Sequence, residues 1–191
     1  MDGTLQALIL ALLTLAVAFT LFLVLRIAAV ISAQEYLRSP AALPAGSRLP
    51  DFSGRRLRDG ERVSAHMLRG QSAVLLFLSP ECGDCRQRVA ELSQMYADIV
   101  RSGVQLWIVS ARSRARMTAF LHGSPLLDHV LLVKASVRQA LNPRNAAPFY
   151  VFVDDEGRVL ASNFIGDEDW LSFVAQVRES EAAKDLRDDQ A

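Results

Sequence analysis

Residues 73–85 read AVLLFLSPECGDC: an apolar run over 73–79, closed by Pro80 and followed at once by two cysteines three positions apart. A continuous apolar run of this length marks a strand buried on both faces. Beyond it Val89, Leu92, Tyr96, Ile99 and Val100 recur at steps of three and four, the period of an amphipathic helix, and Gly103 stands where such a helix ends. The local order is buried strand, Cys82-Gly83-Asp84-Cys85, helix. VQLWIVS (104–110) repeats the buried-strand signature.

Working outward, residues 113–122 read as a helix with Met117, Phe120 and Leu121 on one face, 130–133 as a short strand and 136–141 as a short helix. Two hairpins complete the pattern. One joins 51–57 to 62–64 through Asp59-Gly60; the other joins 149–153 to 159–163 through Asp154-Asp155-Glu156-Gly157. A last helix over 168–178 carries Trp170, Phe173, Val174 and Val177. Strands separated by helices predict an α/β fold, a mixed central sheet with helices on both faces.

The chain has 191 residues, with 21 Lys+Arg against 21 Asp+Glu. That balance argues against a dedicated nucleic-acid binder. Two cysteines exclude both a disulfide-stapled scaffold and a four-cysteine zinc module. Residues 3–25 carry no charge over 23 positions, enough for one membrane-spanning helix. The leader MDGT lacks the basic residues of a cleaved signal peptide, so an uncleaved anchor over 1–38 is the expectation. SPAALPAGSRLP (39–50) reads as a linker, 51–178 as one domain and 179–191 as a charged tail. Arg26, Arg38 and Arg48 all follow the apolar run, which by the positive-inside rule points to a cytoplasmic domain.

Two cysteines on a first helical turn are close enough for a disulfide. The free N–H groups and the positive dipole end of the helix favour a thiolate. Cys82, in the more exposed position, is the expected nucleophile, with a pKa below the ordinary thiol value of about 8.5; Cys85 is the resolving partner. Arg86 adds positive charge, whereas Asp84 disfavours the thiolate. Pro148 opens the strand FYVFVD, a place where proline is tolerated. Beside a C-x-x-C the stronger reading is a cis Ala147-Pro148 bond facing the cysteines, with the Ala147 backbone open to an extended substrate. Trp107 and Trp170 are expected in the core, and Arg112, Arg114 and Arg116 on a solvated face. The acidic cluster at 154–156 is a turn, not a calcium loop. His66, His122 and His129 show no ligand spacing, so no metal site is expected. A Cu(I) or Zn chaperone using the two thiols stays open beside the redox reading. No glycine-rich nucleotide loop or haem-attachment motif occurs, since Arg86 stands where the haem motif needs His.

LPDFSG, LRG, LLFLSPECGDC and APFYVFVDDEGRVLAS, with the N-terminal helix, resemble the membrane-anchored thioredoxin-like proteins of the TlpA class. Within that class the chain is most similar to the MauD-type methylamine dehydrogenase accessory proteins. The resemblance implies a thioredoxin core with an extra N-terminal hairpin, a redox pair at Cys82 and Cys85 in place of any bound cofactor, and a cis-proline at Pro148. It implies a domain in the periplasm on an inner-membrane anchor, against the arginine distribution, and that location is the one expected here. The implied partners are a protein with thiols or disulfides, such as the methylamine dehydrogenase small subunit, and a membrane electron donor or acceptor. A general disulfide reductase serving cytochrome c or copper-centre assembly is the neighbouring alternative. The chain departs from the family in three places. Glu81 stands where thioredoxins have Trp, Leu76 where they have a buried acid, and Arg88 where some reductases have Glu. The usual proton relay is therefore missing, or supplied by Asp84 or Glu81.

Overall fold

The computed structural model describes residues 2–38 and 42–188, in two compact units divided after Pro40. The first unit is α1 (Asp2–Arg38), an unbroken helix whose stretch Ile9–Ile27 has a mean hydropathy of 2.5 and no buried residue. At 1.5 Å per residue those positions span about 28 Å, close to the roughly 30 Å of a bilayer's hydrocarbon layer. The helix is apolar all round, and lipid is the surrounding in which such a surface costs nothing.

The second unit is a seven-stranded sheet. Its strands are β1 (Ser53–Arg56), β2 (Arg62–Ser64), β3 (Ala73–Phe77), β4 (Gln105–Ser110), β5 (Val130–Leu132), β6 (Phe149–Val153) and β7 (Val159–Phe164), in the spatial order β2-β1-β5-β4-β3-β6-β7. β3, β4 and β5 run parallel, while β6 is antiparallel to β3 and β1 antiparallel to β5. All five residues of β3 are buried, as its unbroken apolar run predicts. Val74 and Leu76 face one layer, with Leu92 and Ile99 of α2 (Gly83–Arg101), Met117 of α3 (Arg114–Phe120) and Trp170 of α5 (Glu168–Asp188). Leu75 and Phe77 face the other, with Leu141 of α4 (Ala135–Leu141), Leu68, Phe52 and Leu49.

Three readings of the sequence are corrected. Residues 42–50 do not hang free as a linker: Leu49 is buried, Arg48 bridges Arg158, and the Gly46 and Leu49 amides donate to Val159 and Gly157 carbonyls. The apolar Leu49 and the unpaired edge of β7 supply the reason. Residues 39–41 of that stretch lie outside the described residues. The charged tail is helical through Asp188, because α5 meets no Gly or Pro and is rich in Ala, Glu, Lys and Arg. Its N-terminus is fixed by Asp167, whose Oδ1 accepts the Trp170 amide at 2.9 Å and the Tyr150 hydroxyl at 2.9 Å. Burial and the Asp167 carboxylate push Tyr150 far above its ordinary value, so it stays a donor. Trp170 is core as expected, but Trp107 is only half-buried. It lies under the Arg56 guanidinium, 5.6 Å from the ring centroid, and edge-on to His129, in a cleft that Tyr96 also lines. Two single-turn 3-10 helices, Ala65–Leu68 and Pro125–His129, were not legible, being too short to show a period.

The extra hairpin joins the sheet through β1 and β5, and Gly54 permits the contact. A Cβ added there would stand 2.7 Å from Leu131 Cδ1 and 2.8 Å from the Leu132 carbonyl oxygen. Gly54→Ala is expected to destabilise the domain by about 1–3 kcal/mol, the usual cost of overpacking. Thermal unfolding followed by circular dichroism on the full chain in detergent checks this; an unchanged melting temperature would show that β1 moves aside freely.

Candidate functional site

β3 ends at Phe77, and after Leu78, Ser79, Pro80 and Glu81 the chain enters α2 with Cys82 as its N-cap. The cap is made by sulfur: the backbone N–H of Cys85 donates to Cys82 Sγ at 3.2 Å. Cys82 and Cys85 form a disulfide with Cα atoms 5.3 Å apart. Their exposures differ as the spacing requires. Cys85 points into the core beneath α2 and is 0% exposed, while Cys82 is half-buried at the rim. An incoming group therefore meets Cys82 first. In the reduced state the N–H that caps the helix would be aimed at Cys82 Sγ, where it favours negative charge.

The Ala147-Pro148 bond is cis, as predicted, and Pro148 is buried. Pairing sets its position. Phe77 is the register partner of Phe149, so the residues just before Phe149 lie beside those just after Phe77. This brings the Ala147 carbonyl oxygen to 3.6 Å from Cys82 Sγ. The approach loop is held by Asn142, a buried side chain whose Nδ2 donates to the Ala146 carbonyl at 2.8 Å and whose Oδ1 accepts the Ala146 amide at 3.3 Å. Asn145 adopts φ 52°, a conformation that Asn tolerates better than most residues. Sequence reasoning passed over Asn142, although Asn142-Pro143-Arg144-Asn145 is a turn-forming run that marks a structured loop.

The three charged residues expected to tune the cysteines behave differently. Glu81 is drawn into a cluster of its own. Its carboxylate accepts from Ser79 Oγ at 2.6 Å and pairs with Arg112 at 3.3 Å and Arg116 at 3.1 Å. The Ser79 hydrogen bond, then its own backbone N–H and the two arginines, hold it below the usual glutamate range. Asp84 lies exposed in the first turn of α2, and Arg86 is exposed one residue beyond Cys85. Leu76, in the place of thioredoxin's acid, is 0% exposed among apolar neighbours, and Arg88 pairs with Glu91 at 2.6 Å. The arginines of 112–116 are not a plain solvated face either: Arg112 and Arg116 organise Glu81, and Arg114 donates to the Leu57 carbonyl. Their recruitment depends on α3 folding back toward the end of β3, which no local pattern encodes.

A cavity of about 570 Å³ opens beside Cys82, between the Ser79–Glu81 turn, the Ser110–Arg112 loop and α4. Arg138 of α4 reaches it, packed over the Phe77 ring at 6.0 Å and donating to Asn145 Oδ1. Burial, and to a lesser degree the nearby Arg112 charge, pull its guanidinium below its usual value. Among the described residues no group of three or more His, Cys, Asp or Glu could hold a metal ion.

The sequence model of the AhpC/TSA family matches residues 45–169. Thioredoxin-like protein YneN of Bacillus subtilis (strain 168) is 24% identical over 127 residues, covering 65% of this chain and 74% of that protein. Among solved structures, the thioredoxin domain of a thiol-disulfide oxidoreductase from Bacteroides vulgatus superposes with a TM-score of 0.60 at 20% identity, over 71% of this chain and 99% of that one. A thiol:disulfide interchange protein from a Bacteroides species gives a TM-score of 0.60 at 20% identity, over 72% and 93%. At these identities the superpositions establish a thioredoxin-like fold.

Because the folded-state pKa of Glu81 is depressed, its bonds to Ser79, Arg112 and Arg116 are present at neutral pH and lost as pH falls through that lowered value. Ser79→Ala removes the largest cause, so the Glu81 titration should move up toward the ordinary glutamate value. A carboxyl-carbon NMR titration of the full chain in detergent checks this. An unmoved midpoint would mean that the backbone N–H and the arginines suffice to hold the carboxylate ionised.

Proposed function

The chain belongs to the AhpC/TSA family, and on that footing we propose that it is a membrane-anchored thiol–disulfide oxidoreductase acting on protein clients through Cys82 and Cys85. The observation that carries this reading is the half-buried sulfur at the N-terminus of α2, 3.6 Å from the carbonyl before a cis-proline, with its partner sulfur sealed beneath it. In the reducing direction the Cys82 thiolate attacks one sulfur of a client disulfide. A Cys82–client bond forms as the client S–S bond breaks, and the departing thiolate takes a proton from solvent. Cys85, deprotonated, then attacks Cys82 Sγ, which closes the intramolecular disulfide and releases the second client thiol. Two electrons pass from the dithiol to the client, and two protons follow through water. The oxidising direction is the same sequence reversed. Ala147 offers its backbone to a client segment lying extended beside the disulfide, the geometry of strand addition.

Two finer assignments belong to this proposal. The domain lies in the periplasm, held to the inner membrane by α1, with electrons supplied or withdrawn by a membrane partner. The client is the methylamine dehydrogenase small subunit or a similarly disulfide-rich protein, a reading supported by the resemblance of LPDFSG, FLSPECGDC and the stretch after Pro148 to MauD-type proteins.

Cys82→Ser is expected to abolish exchange with a disulfide substrate. Cys85→Ser should retain the first step and accumulate a mixed disulfide, visible as a mass adduct lost on adding dithiothreitol. Exchange that survives in Cys82→Ser would overturn the mechanism. For topology, alkaline phosphatase fused after Ala191 should be active in cells; an inactive, stably expressed fusion would place the domain in the cytoplasm.

A further inference from the structure

The cavity beside Cys82 is charged in one sense. Arg112 and Arg138 both line it, against the single carboxylate of Glu81, and that carboxylate is already shared by Arg112 and Arg116. Arg138 has no carboxylate partner among the described residues. Its contacts are the Phe77 ring and the amide oxygen of Asn145. A half-buried guanidinium resting on an aromatic face and a neutral amide has lost water without gaining a counter-charge, which is a net cost to the folded chain. The depressed guanidinium pKa, caused by burial and then by Arg112, is a second sign of that uncompensated charge. The fold bears this cost at a particular place: Cys82, Ala147, Arg112 and Arg138 all face the same cavity of about 570 Å³. A segment that fills this cavity beside Cys82 and Ala147 meets both arginines.

Resting on the oxidoreductase reading above, we propose that Arg112 and Arg138 form a carboxylate-binding subsite that selects acidic peptide segments, with Asp or Glu next to the disulfide that Cys82 attacks. A carboxylate there would pair with Arg138, whose planar fork suits bidentate binding, and relieve the repulsion between the two arginines. Electrostatic complementarity of this kind acts on encounter and on substrate choice more than on raw affinity. The arginines touch no reacting atom. They position the client, and Cys82 and Cys85 carry the exchange as written above.

The test uses the full chain in detergent micelles, reduced with dithiothreitol and freed of excess reductant. The substrates are three disulfide-closed peptides, identical except for Asp, Ser or Lys on either side of the disulfide cysteines. Single-turnover exchange rates at low ionic strength should favour the acidic peptide over the neutral one by about five- to tenfold, the scale of one or two partly screened charge pairs, with the basic peptide slowest. The preference should shrink in roughly 0.5 M salt, where screening confines charges to a few ångströms. Arg138→Gln should bring the acidic-to-neutral ratio close to one, Arg138→Lys should keep most of it, and Arg112→Gln should reduce it from the exposed side of the cavity without disturbing the Phe77 contact. Equal rates for the three wild-type reactions would leave the oxidoreductase reading standing and overturn this one. So would an acidic preference that both glutamine variants retain. Absence of exchange with any peptide would remove both readings together.

Discussion

The structure is organised by the double burial of β3. Its five residues have water on neither face, and it is hydrogen-bonded along both edges, to β4 on one side and β6 on the other. Burying each large apolar side chain contributes roughly 1.5–3 kcal/mol, and a one-residue slip would exchange the two faces of side chains between two differently shaped layers. The register is therefore held firmly, and with it the point where the strand ends. The candidate site lies just past that point. The turn after Ser79 delivers Cys82 to the start of α2, and the β6 pairing delivers Ala147 and Pro148 to the same spot from the other side of the chain.

From that constraint follows a division of labour between the two cysteines. Helical geometry sends the side chain of Cys85 inward onto the core and leaves Cys82 at the rim, so packing alone makes the two sulfurs unequal in access before any electrostatics act. The surrounding charges refine this arrangement without entering the core. Thioredoxin's buried acid is replaced by the fully apolar environment of Leu76; of the two acids near the cysteines, Glu81 is tied up by a serine and two arginines and Asp84 lies exposed. The same rim is where Arg112 and Arg138 concentrate positive charge.

The parts away from the site serve to close the layers. The hairpin of β1 and β2 extends the sheet beyond β5, at a contact so close that Gly54 has no room for a methyl group. Residues 42–50 lie along β7 and cover an edge that would otherwise expose unpaired backbone groups, a common hazard of open sheets. At the opposite face Tyr150 and Asp167 tie β6 to the start of α5, so the strand that carries the cis-proline is braced at its far layer as well.

Much of this was legible in the amino-acid sequence. Apolar runs, helical periods and turn signals located the strands and α-helices among the described residues, most of them to within a few residues, because burial on one or two faces writes itself directly into local hydrophobic pattern; the last helix runs ten residues past its expected end. The C-x-x-C between a buried strand and a helix stood out for the same reason, whereas a proline opening a strand is an ordinary arrangement and Pro148 drew its reading only from the cysteines. The partners that local pattern could not reveal are those brought in from distant segments. Arg112 and Arg138 stand 27 and 53 positions beyond Cys85 in the chain, and only the folding of the Ser110–Arg112 loop and α4 over the end of the sheet puts them beside the disulfide. Asn142 and Leu49 were missed likewise, one holding a loop and the other burying a supposed linker. Sequence by itself determined the strand–cysteine–helix unit, since its periodicity is local. Tertiary structure decided the charge around it, because a surface arginine carries no period and its partner is set by which layers meet.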